Sequence, residues 1–360
     1  MQDHQTYMHR CLELAKHGLG HAAPNPIVGA VVVWKNQVIG EGYHRQAGLP
    51  HAEVEAIQSV KDYSKLAEST LYVNLEPCNH TGKTPPCTDL ILRHKIPNLV
   101  VAQTDPNPLV AGTGILRLRK KGVNVIEGIL KKEAWELNKR FNCFHVNKRP
   151  FVLLKWAITR DGFIDQIRKP GEAANPAWIT DEFCRSLVHK WRTEESSILV
   201  GTQTASLDNP RLNIRAWKGR APLRLVLDRH KSLPAHLNVF DQTQETWVFT
   251  EHDIPSKRNL RYFRIQADKN DLPQMMQILY EQNIQSIMVE GGAELLNSFI
   301  KDDLWDEARV FTGPISFNKG VSGPEFNFSP EEKIQTGNSL LEIFRKQKPD
   351  EQSMTKGKIL

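Results

Sequence analysis

The chain contains the segments Pro50-His51-Ala52-Glu53 and Glu76-Pro77-Cys78-Asn79-His80-Thr81-Gly82-Lys83-Thr84-Pro85-Pro86-Cys87. His51, Cys78 and Cys87 supply one imidazole and two thiolates, which are three protein ligands for a tetrahedral zinc ion with an open fourth position. Glu53 can carry protons without binding the metal. This set predicts a hydrolytic deaminase, in which zinc makes hydroxide near neutral pH and the glutamate passes protons to the leaving amine.

The apolar pattern around these segments predicts an α/β domain. A hairpin followed by alternating helices and strands implies a largely parallel sheet with helices on both faces. The metal residues then lie at the carboxyl-end edge of the sheet, where α/β proteins bind ligands. The predicted helices are 4–19, 51–60, 87–94, 114–121 and 132–141, and the predicted strands are 27–34, 38–41, 70–75, 99–103 and 123–127.

A second α/β pattern begins at Phe151, after a predicted linker at 142–150. With 360 residues, two domains are expected, and we place them at 1–145 and 146–360. The polar tail from Lys346 is expected to be partly disordered. The predicted strands are 151–158, 197–201, 223–228, 246–250, 261–265, 286–290 and 307–312, and the predicted helices are 180–192, 272–283 and 293–301.

Composition favours a soluble, cytoplasmic protein. No apolar run approaches the roughly 20 residues that span a bilayer, and the polar N-terminus is unlike a secretory signal. Five cysteines in a long chain argue against a disulfide framework and for a reducing compartment. The net charge of +6 suits either nucleic acid or phosphate-bearing small molecules.

Three questions about the first domain stay open at this point. A structural zinc site closed by His80 as a fourth ligand is possible, but it would leave Glu53 without a task. The insertion 79–86 either lines a substrate pocket, with His80 and Lys83 near a phosphate, or is a stiff connector that only places Cys87. Asn25, between two prolines, either holds a base edge through its amide or forms a turn.

The second domain offers weaker signals. It has no Gly-x-Gly-x-x-Gly turn, so a standard Rossmann cofactor site is not indicated. Val289–Leu296 predicts a strand that passes through two glycines into a helix, which either offers N–H groups to a phosphate or makes a simple turn. Lys155 stands in the apolar run 151–158. It is either buried with a partner or ligand, or solvent-exposed on an edge strand.

Three motifs carry a resemblance to a known family. His51-Ala52-Glu53, the segment 76–87 and Asp105-Pro106-Asn107-Pro108 resemble the bifunctional deaminase/reductases of riboflavin biosynthesis, whose cysteines have the same wide spacing. The resemblance extends to about Pro324. It implies zinc held by the His51, Cys78 and Cys87 set, a cytidine-deaminase-like three-layer N-terminal domain, and a dihydrofolate-reductase-like C-terminal domain that uses NADPH.

The same resemblance assigns residues in the reductase domain. Arginines suit the 5-phosphate of the substrate because they form bidentate, charge-assisted contacts. The sequence departs from the family pattern at Thr159-Arg160, in the longer stretch 172–177, and at Pro176, where a substrate-binding serine is common. The implied cofactor residues are Ala157, Trp178, Thr204, Asp208 and Gly292, and the implied substrate residues are Arg192, Leu212, Arg215 and Glu290.

We therefore expect a two-step enzyme. The first domain deaminates 2,5-diamino-6-(5-phosphoribosylamino)pyrimidin-4-one, and the second transfers a hydride from NADPH to convert the ribosyl group to ribityl. Its partner is a phosphorylated pyrimidine, with no nucleic acid and no membrane, and the protein is expected to be a homo-oligomer. The alternatives are a zinc nucleoside or tRNA deaminase with an unrelated C-terminal domain, and a zinc-stabilised nucleic-acid-binding protein with strongly salt-dependent affinity.

Overall fold

The computed structural model describes residues 3–80, 85–108, 110–167 and 177–346. These residues divide into two compact units. The first contains the residues up to Pro150 together with Leu279–Gln285, and the second contains Phe151–Ile278 and the residues from Ser286 onward. The tail from Gln347, for which the sequence predicted partial disorder, lies outside the described residues.

The first unit follows the predicted order of helices and strands. Its elements are α1 (His4–Lys16), β1 (Gly29–Trp34), β2 (Gln37–Tyr43), α2 (Ala52–Gln58), a 3-10 helix (Tyr63–Glu68), β3 (Thr70–Leu75), α3 (Cys87–Arg93), β4 (Asn98–Gln103), α4 (Thr113–Lys120), β5 (Asn124–Glu127), α5 (Lys131–Leu137) and α6 (Lys139–Asn147).

The five-stranded sheet of this unit has the order β2-β1-β3-β4-β5. Only the pairings β3–β4 and β4–β5 are parallel, because β1 runs antiparallel to both of its neighbours, β2 and β3. A largely parallel sheet was expected. Four of the five strands do run in the same direction, but only two of the four pairings are parallel, because the reversed strand β1 lies inside the sheet. The connection through α2 carries the chain over β1, so the reversed strand of the hairpin becomes an interior strand.

Apolar side chains cover both faces of the sheet, which makes three layers. Ala30 and Val32 of β1 pack with residues from α2, α3 and α4, whereas Val31 and Val33 pack with α1 and α5. This alternation is the two-residue period of a strand buried on both faces. The three-layer architecture expected for the first domain follows from it.

The predicted linker at 142–150 is wrong over most of its length. Residues Lys139–Asn147 form α6, and α5 ends two residues earlier at Leu137. Phe141, Cys143 and Phe144 are buried, so this segment belongs to a packed core. Tertiary burial thus outweighs the polar residues that suggested a connector.

The second unit is built on a nine-stranded sheet of order β11-β10-β9-β8-β12-β6-β13-β16-β15. Six of its pairings are parallel, and the last two, β13–β16 and β16–β15, are antiparallel. The elements are β6 (Phe151–Ile158), β7 (Phe163–Asp165), α7 (Glu182–Glu194), β8 (Ser197–Gly201), α8 (Thr202–Asp208), β9 (Leu223–Leu227), a 3-10 helix (Asn238–Phe240), β10 (Thr246–Thr250), β11 (Leu260–Arg264), α9 (Asp271–Glu281), β12 (Ser286–Val289), α10 (Ala293–Lys301), β13 (Glu307–Thr312), β14 (Val321–Ser322), β15 (Glu332–Thr336) and β16 (Ser339–Arg345).

Two details of the second unit bear on its chemistry. β6 lies between β12 and β13, so the interpretation of Lys155 as an edge-strand residue is wrong. Helix α7 is capped by Asp181, whose side chain accepts a hydrogen bond from the N–H of Cys184, and it starts two residues later than expected. In the part of the chain that the structure describes, none of the helices has the length and apolar character needed to cross a membrane.

Candidate active sites

The three expected metal ligands come together in the first unit. The Nδ1 atom of His51 lies 3.5 Å from the Sγ of Cys78 and 3.4 Å from the Sγ of Cys87. Their ligand atoms all lie within 4.8 Å of one another, and this is the one such cluster found among the described residues. One nitrogen and two sulfurs at this separation are a donor set that fits zinc and leaves a fourth position for water.

The local fold explains the convergence. His51 stands immediately before α2, Cys78 follows β3, and Cys87 is the first residue of α3. The backbone N–H of Cys87 donates a hydrogen bond to the sulfur of Cys78 at 3.2 Å. Hydrogen bonds from the Cys87 thiol and from His51 lower the pKa of Cys78 to about 4. One thiolate, the form that binds metal, is thus favoured before any ion arrives.

Glu53 lies beside the cluster without belonging to it. Its side chain is 3% exposed, and this burial, with the nearby Cys78 sulfur, raises the pKa of the carboxyl to about 7. A carboxyl with such a pKa both accepts and releases a proton near neutral pH. His80 is exposed and lies outside the metal cluster. The geometry therefore favours a site with an open fourth position over a structural zinc site in which His80 is the fourth ligand.

Asn25 is linked to the cluster through a residue that the sequence did not single out, His44. The amide nitrogen of Asn25 lies 3.0 Å from Nε2 of His44, whose Nδ1 lies 2.9 Å from the carbonyl oxygen of Pro50. The ring of His44 packs edge-on against the ring of His51. No spacing rule connects His44 with Asn25, so only the folded chain reveals the contact.

The Asp105 motif also reaches this edge of the sheet. The backbone N–H of Asp105 donates to Glu76, the buried glutamate two residues before Cys78, at 3.2 Å. Burial raises the pKa of Asp105 to about 6. Lys83, which the sequence placed near a phosphate, lies outside the described residues.

The second unit contains a cavity of about 830 Å³ that collects most of the residues expected to bind cofactor and substrate. Leu212 is the exception, since its side chain is buried in the apolar core with Ile198 and Val226. The stretch 172–176, where the sequence departs from the family pattern, lies outside the described residues. The expected residues that line the cavity are Ala157, Trp178, Arg192, Thr204, Asp208, Arg215, Glu290 and Gly292.

A buried cluster of charges forms one side of this cavity. The guanidinium of Arg192 donates two hydrogen bonds to the carboxylate of Glu290, and the Nζ of Lys155 lies 3.7 Å from the same carboxylate. Burial alone would raise the pKa of Glu290, but the charges of Arg192 and Lys155 lower it to about 2. The interpretation of Lys155 as a buried lysine with a partner is confirmed.

Another part of the cavity lining, which includes Gly292 and Thr204, has the features of a phosphate cradle. Helices α8 and α10 both begin at it, after Gly201 and Gly292, and neither N-terminus has a side-chain cap. The hydroxyl of Thr204 accepts a hydrogen bond from the N–H of Gly292 at 2.8 Å. A Cβ added to Gly291 would lie 2.9 Å from Cδ2 of Leu295, so the backbone before α10 packs closely against this side chain. These helix ends fit the phosphates of a dinucleotide.

His189, another residue that sequence reasoning missed, also lines the cavity. Its Nδ1 accepts a hydrogen bond from the backbone N–H of Arg215 at 3.3 Å. Burial and the charges of Arg192 and Arg215 lower the pKa of His189 to about 4, so the ring is neutral at physiological pH. His189 precedes Arg192 by three residues on α7, a spacing that places both on one helix face.

Comparison with known proteins finds a matching family for each half of the chain. Residues 1–103 match the cytidine and deoxycytidylate deaminase zinc-binding region, and residues 150–324 match the RibD C-terminal domain. The chain is 41% identical over 320 residues to the riboflavin biosynthesis protein RibD of Bacillus amyloliquefaciens, covering 86% of this chain and 84% of that protein. The chain belongs to the RibD family.

Further RibD relatives support the same conclusion. RibD of Escherichia coli strain K12 is 36% identical over 87% of this chain and 88% of its own length. The structure of a diaminohydroxyphosphoribosylaminopyrimidine deaminase/5-amino-6-(5-phosphoribosylamino)uracil reductase from Thermotoga maritima superposes with a TM-score of 0.85 at 37% identity, covering 95% and 98% of the two chains. Acinetobacter baumannii RibD superposes with a TM-score of 0.84 at 31% identity, covering 96% and 99%.

This RibD-family chain is therefore a bifunctional deaminase and reductase of riboflavin biosynthesis, with zinc and NADPH as cofactors. The expected fold class, family, activity and cofactors are confirmed. The alternative of a nucleoside or tRNA deaminase with an unrelated C-terminal domain is not favoured, because residues 150–324 match the RibD reductase domain.

Proposed function

We propose that residues 1–145 of this RibD-family enzyme carry out the deamination and residues 146–360 the reduction. The substrate of the first step would be 2,5-diamino-6-(5-phosphoribosylamino)pyrimidin-4-one, and the second step would convert the ribosyl group of its product to ribityl. The observation that carries the first assignment is the convergence of His51, Cys78 and Cys87 beside the buried Glu53.

In the deaminase, His51, Cys78 and Cys87 hold zinc, and Glu53 is the catalytic proton carrier. When bound there, zinc would lower the pKa of a water molecule so that hydroxide is available near neutral pH to attack the amine-bearing ring carbon. Glu53 takes up a proton and delivers it to the leaving amine, a role supported by its pKa of about 7. Asn25, held by His44, presents its amide to the pyrimidine edge.

In the reductase, the same cavity binds NADPH and the substrate through different groups of its lining residues. The assigned cofactor residues are Ala157, Trp178, Thr204, Asp208 and Gly292. The assigned substrate residues are Arg192, Arg215 and Glu290, which line the cavity, and Leu212, which the family resemblance assigns although its side chain lies in the apolar core. When bound there, NADPH would supply the hydride, and with a proton from solvent this would reduce the ribosyl group to ribityl. Arg215 is the better phosphate ligand of the two arginines, since the Arg192 fork already binds Glu290.

The partner of the protein is a phosphorylated pyrimidine rather than nucleic acid or a membrane. A net charge of +6 spread along the chain suits such a substrate and NADPH. We also propose that the protein is a homo-oligomer. Its composition and sparse cysteines support a cytoplasmic location. Sedimentation velocity and cell fractionation test these two points; a monomer at micromolar concentration would contradict the first.

The deaminase assignment is tested with Cys78→Ser and Cys143→Ser. Cys143 is a buried cysteine outside the metal cluster, so it serves as the matched control. We expect Cys78→Ser to lose zinc and ammonia release while its NADPH oxidation, measured with the deaminated substrate, stays unchanged. Cys143→Ser should keep all three properties. Zinc retention in Cys78→Ser would contradict the ligand set.

Glu53→Gln separates catalysis from metal binding. The amide keeps the size of the side chain but cannot take up and release a proton, so zinc content should be normal and ammonia release should fall by about 10²–10⁴-fold. Unchanged ammonia release would refute the role of Glu53. NADPH oxidation with the deaminated substrate again reports whether the second unit is intact.

A further inference from the structure

The loop between the two cysteine ligands poses a geometric problem. Eight residues separate Cys78 from Cys87, whereas zinc nucleobase deaminases commonly have two. A longer loop has more conformations, and restricting its ends costs more entropy. Both sulfurs nevertheless lie within 3.5 Å of the same nitrogen of His51. Side-chain contacts at the two ends of this segment, and from a neighbouring helix, therefore matter for keeping the two cysteines close together.

Arg117 of α4 contacts the residue that follows each cysteine. Its Nη1 donates to Oδ1 of Asn79 at 2.9 Å and to Oγ1 of Thr88 at 3.2 Å. Its Nη2 donates to the carboxylate of Asp89, next to Thr88. One planar guanidinium thus joins the exit from Cys78 to the first turn of α3 after Cys87.

Direct contacts between the loop ends complete the arrangement. The hydroxyl of Thr88 donates to Oδ1 of Asn79 at 3.2 Å, and the backbone N–H of Thr88 donates to the carbonyl of Cys78, also at 3.2 Å. Thr88 is fully buried. Arg117 therefore bonds to a side-chain pair that already spans the loop, and it fixes the orientation of both members.

The helix that carries Arg117 is itself attached to the segment after β3 that carries Cys78. The buried carboxylate of Glu76 accepts hydrogen bonds from the N–H groups of Gly112 at 2.8 Å and Gly114 at 2.9 Å. A Cβ added to Gly114 would lie 2.3 Å from the carbonyl oxygen of Pro77, so the helix rests directly on this backbone. The base of the Arg117 side chain is thereby fixed relative to Cys78.

We propose that Arg117 is a positioning residue for the metal site, which closes the loop between the two cysteine ligands and sets how tightly zinc is held. The proposal rests on the assignment of His51, Cys78 and Cys87 as the ligands. The alternative is that Arg117 and Asp89 form an ordinary surface ion pair, since both are about one-third exposed. Exposed ion pairs change overall stability little and would leave metal affinity unchanged.

Arg119 provides a matched control on the same helix. Its guanidinium contacts the carboxylate of Glu127 at 2.7 Å and the backbone carbonyl of Val125 at 3.0 Å, and both partners belong to β5. Each of the substitutions Arg117→Met and Arg119→Met therefore removes one positive charge and one carboxylate contact from the same helix. Only the first substitution touches the loop between the cysteines.

The test measures metal affinity by competition with a chromophoric chelator, and metal geometry by the visible spectrum of the cobalt-substituted protein. We expect Arg117→Met to bind zinc about 10–100-fold more weakly than the unsubstituted enzyme, as is typical when a residue supporting metal ligands is lost. Its cobalt bands should also shift. Arg119→Met should match the unsubstituted enzyme, and Arg117→Lys should fall between them because an ammonium cannot form the planar fork.

Equal zinc affinity and cobalt spectra in Arg117→Met and Arg119→Met would overturn the proposal. If Arg117→Met does not fold, the double variant Asn79→Ala, Thr88→Val removes two partners instead, and unchanged zinc affinity in it would overturn the proposal equally. Failure of the ligand assignment gives a different result, namely zinc retention in Cys78→Ser. NADPH oxidation with deaminated substrate should stay constant in all variants.

Discussion

Arg192 and Glu290 form a two-pronged ion pair in the wall of the reductase cavity, with an Nε–Oε1 distance of 2.7 Å and an Nη2–Oε2 distance of 2.9 Å. The remaining nitrogen of Arg192 donates to the carbonyl of Asn213 at 3.0 Å. The pair thus connects helix α7, the end of β12 and the segment that carries Arg215. It fixes the relative positions of these three parts of the cavity wall and places buried charge there.

Breaking this pair should destabilise the second unit. Arg192→Met leaves the carboxylate of Glu290 buried beside Lys155 alone, and loss of one partner of a buried pair costs about 3–5 kcal/mol. Lys333→Met removes the cation of an exposed pair with Glu342 and should cost less than about 1 kcal/mol. Urea unfolding curves of the two variants check this. Equal losses of stability would show that the Arg192 pair is solvent-screened.

Thr204→Val should weaken NADPH binding by about tenfold. The substitution keeps the shape of the side chain but removes the acceptor for the half-buried N–H of Gly292, and the loss of a hydrogen bond of this kind costs about 1 kcal/mol. Thr202→Val is the control, because the Thr202 hydroxyl bonds instead to the carbonyl of Leu227. Fluorescence titration with NADPH distinguishes them, and identical affinities would refute the role of Thr204 in holding the cradle.

The ring of His189 should remain neutral down to about pH 4. Burial and the neighbouring arginines lower its folded-state pKa from the ordinary 6.5. In the unfolded chain the ring takes up a proton near pH 6.5, so its contribution to stability is complete above that pH and declines as the pH falls towards 4. Nitrogen chemical shifts of the imidazole measure the titration directly. A midpoint near 6.5 would show that the ring is solvated.

His189→Gln tests the consequence for stability. The glutamine oxygen can still accept the N–H of Arg215 but does not titrate, so the loss of stability between pH 6.5 and 4 should be smaller in the variant. Urea unfolding at a series of pH values gives the comparison. An unchanged slope would assign that loss to other groups.

Gly114→Ala should destabilise the first unit and lower its zinc content. The added Cβ would lie 2.3 Å from the carbonyl oxygen of Pro77, so α4 must move away from the segment after β3 that carries Cys78. Overpacking of this kind costs about 1–3 kcal/mol. Leu116→Ala, at an exposed position of the same helix, should have little effect on either property. Equal metal content in the two variants would contradict a rigid contact between α4 and this segment.

Elements with a strong apolar pattern were predictable. The bounds of β3 and β6 agree with the expected 70–75 and 151–158, because continuous runs of β-branched and apolar residues form buried strands. Helix α8 and strand β15 were not predicted. The first has a polar sequence, and the second is an exposed edge strand, so neither carries the periodicity that burial imposes.

Residue types and their order along the chain are sufficient to identify its chemistry: a histidine, two cysteines and a glutamate in a characteristic arrangement predict zinc-dependent deamination. The contacts of Lys155 with Glu290, of Asn25 with His44 and of Arg117 with both ends of the cysteine loop emerge only when the chain folds. Each joins residues from different elements, and local sequence periodicity carries no information about such pairs. Their distances depend on how helices pack on the sheets, which is a property of the whole domain.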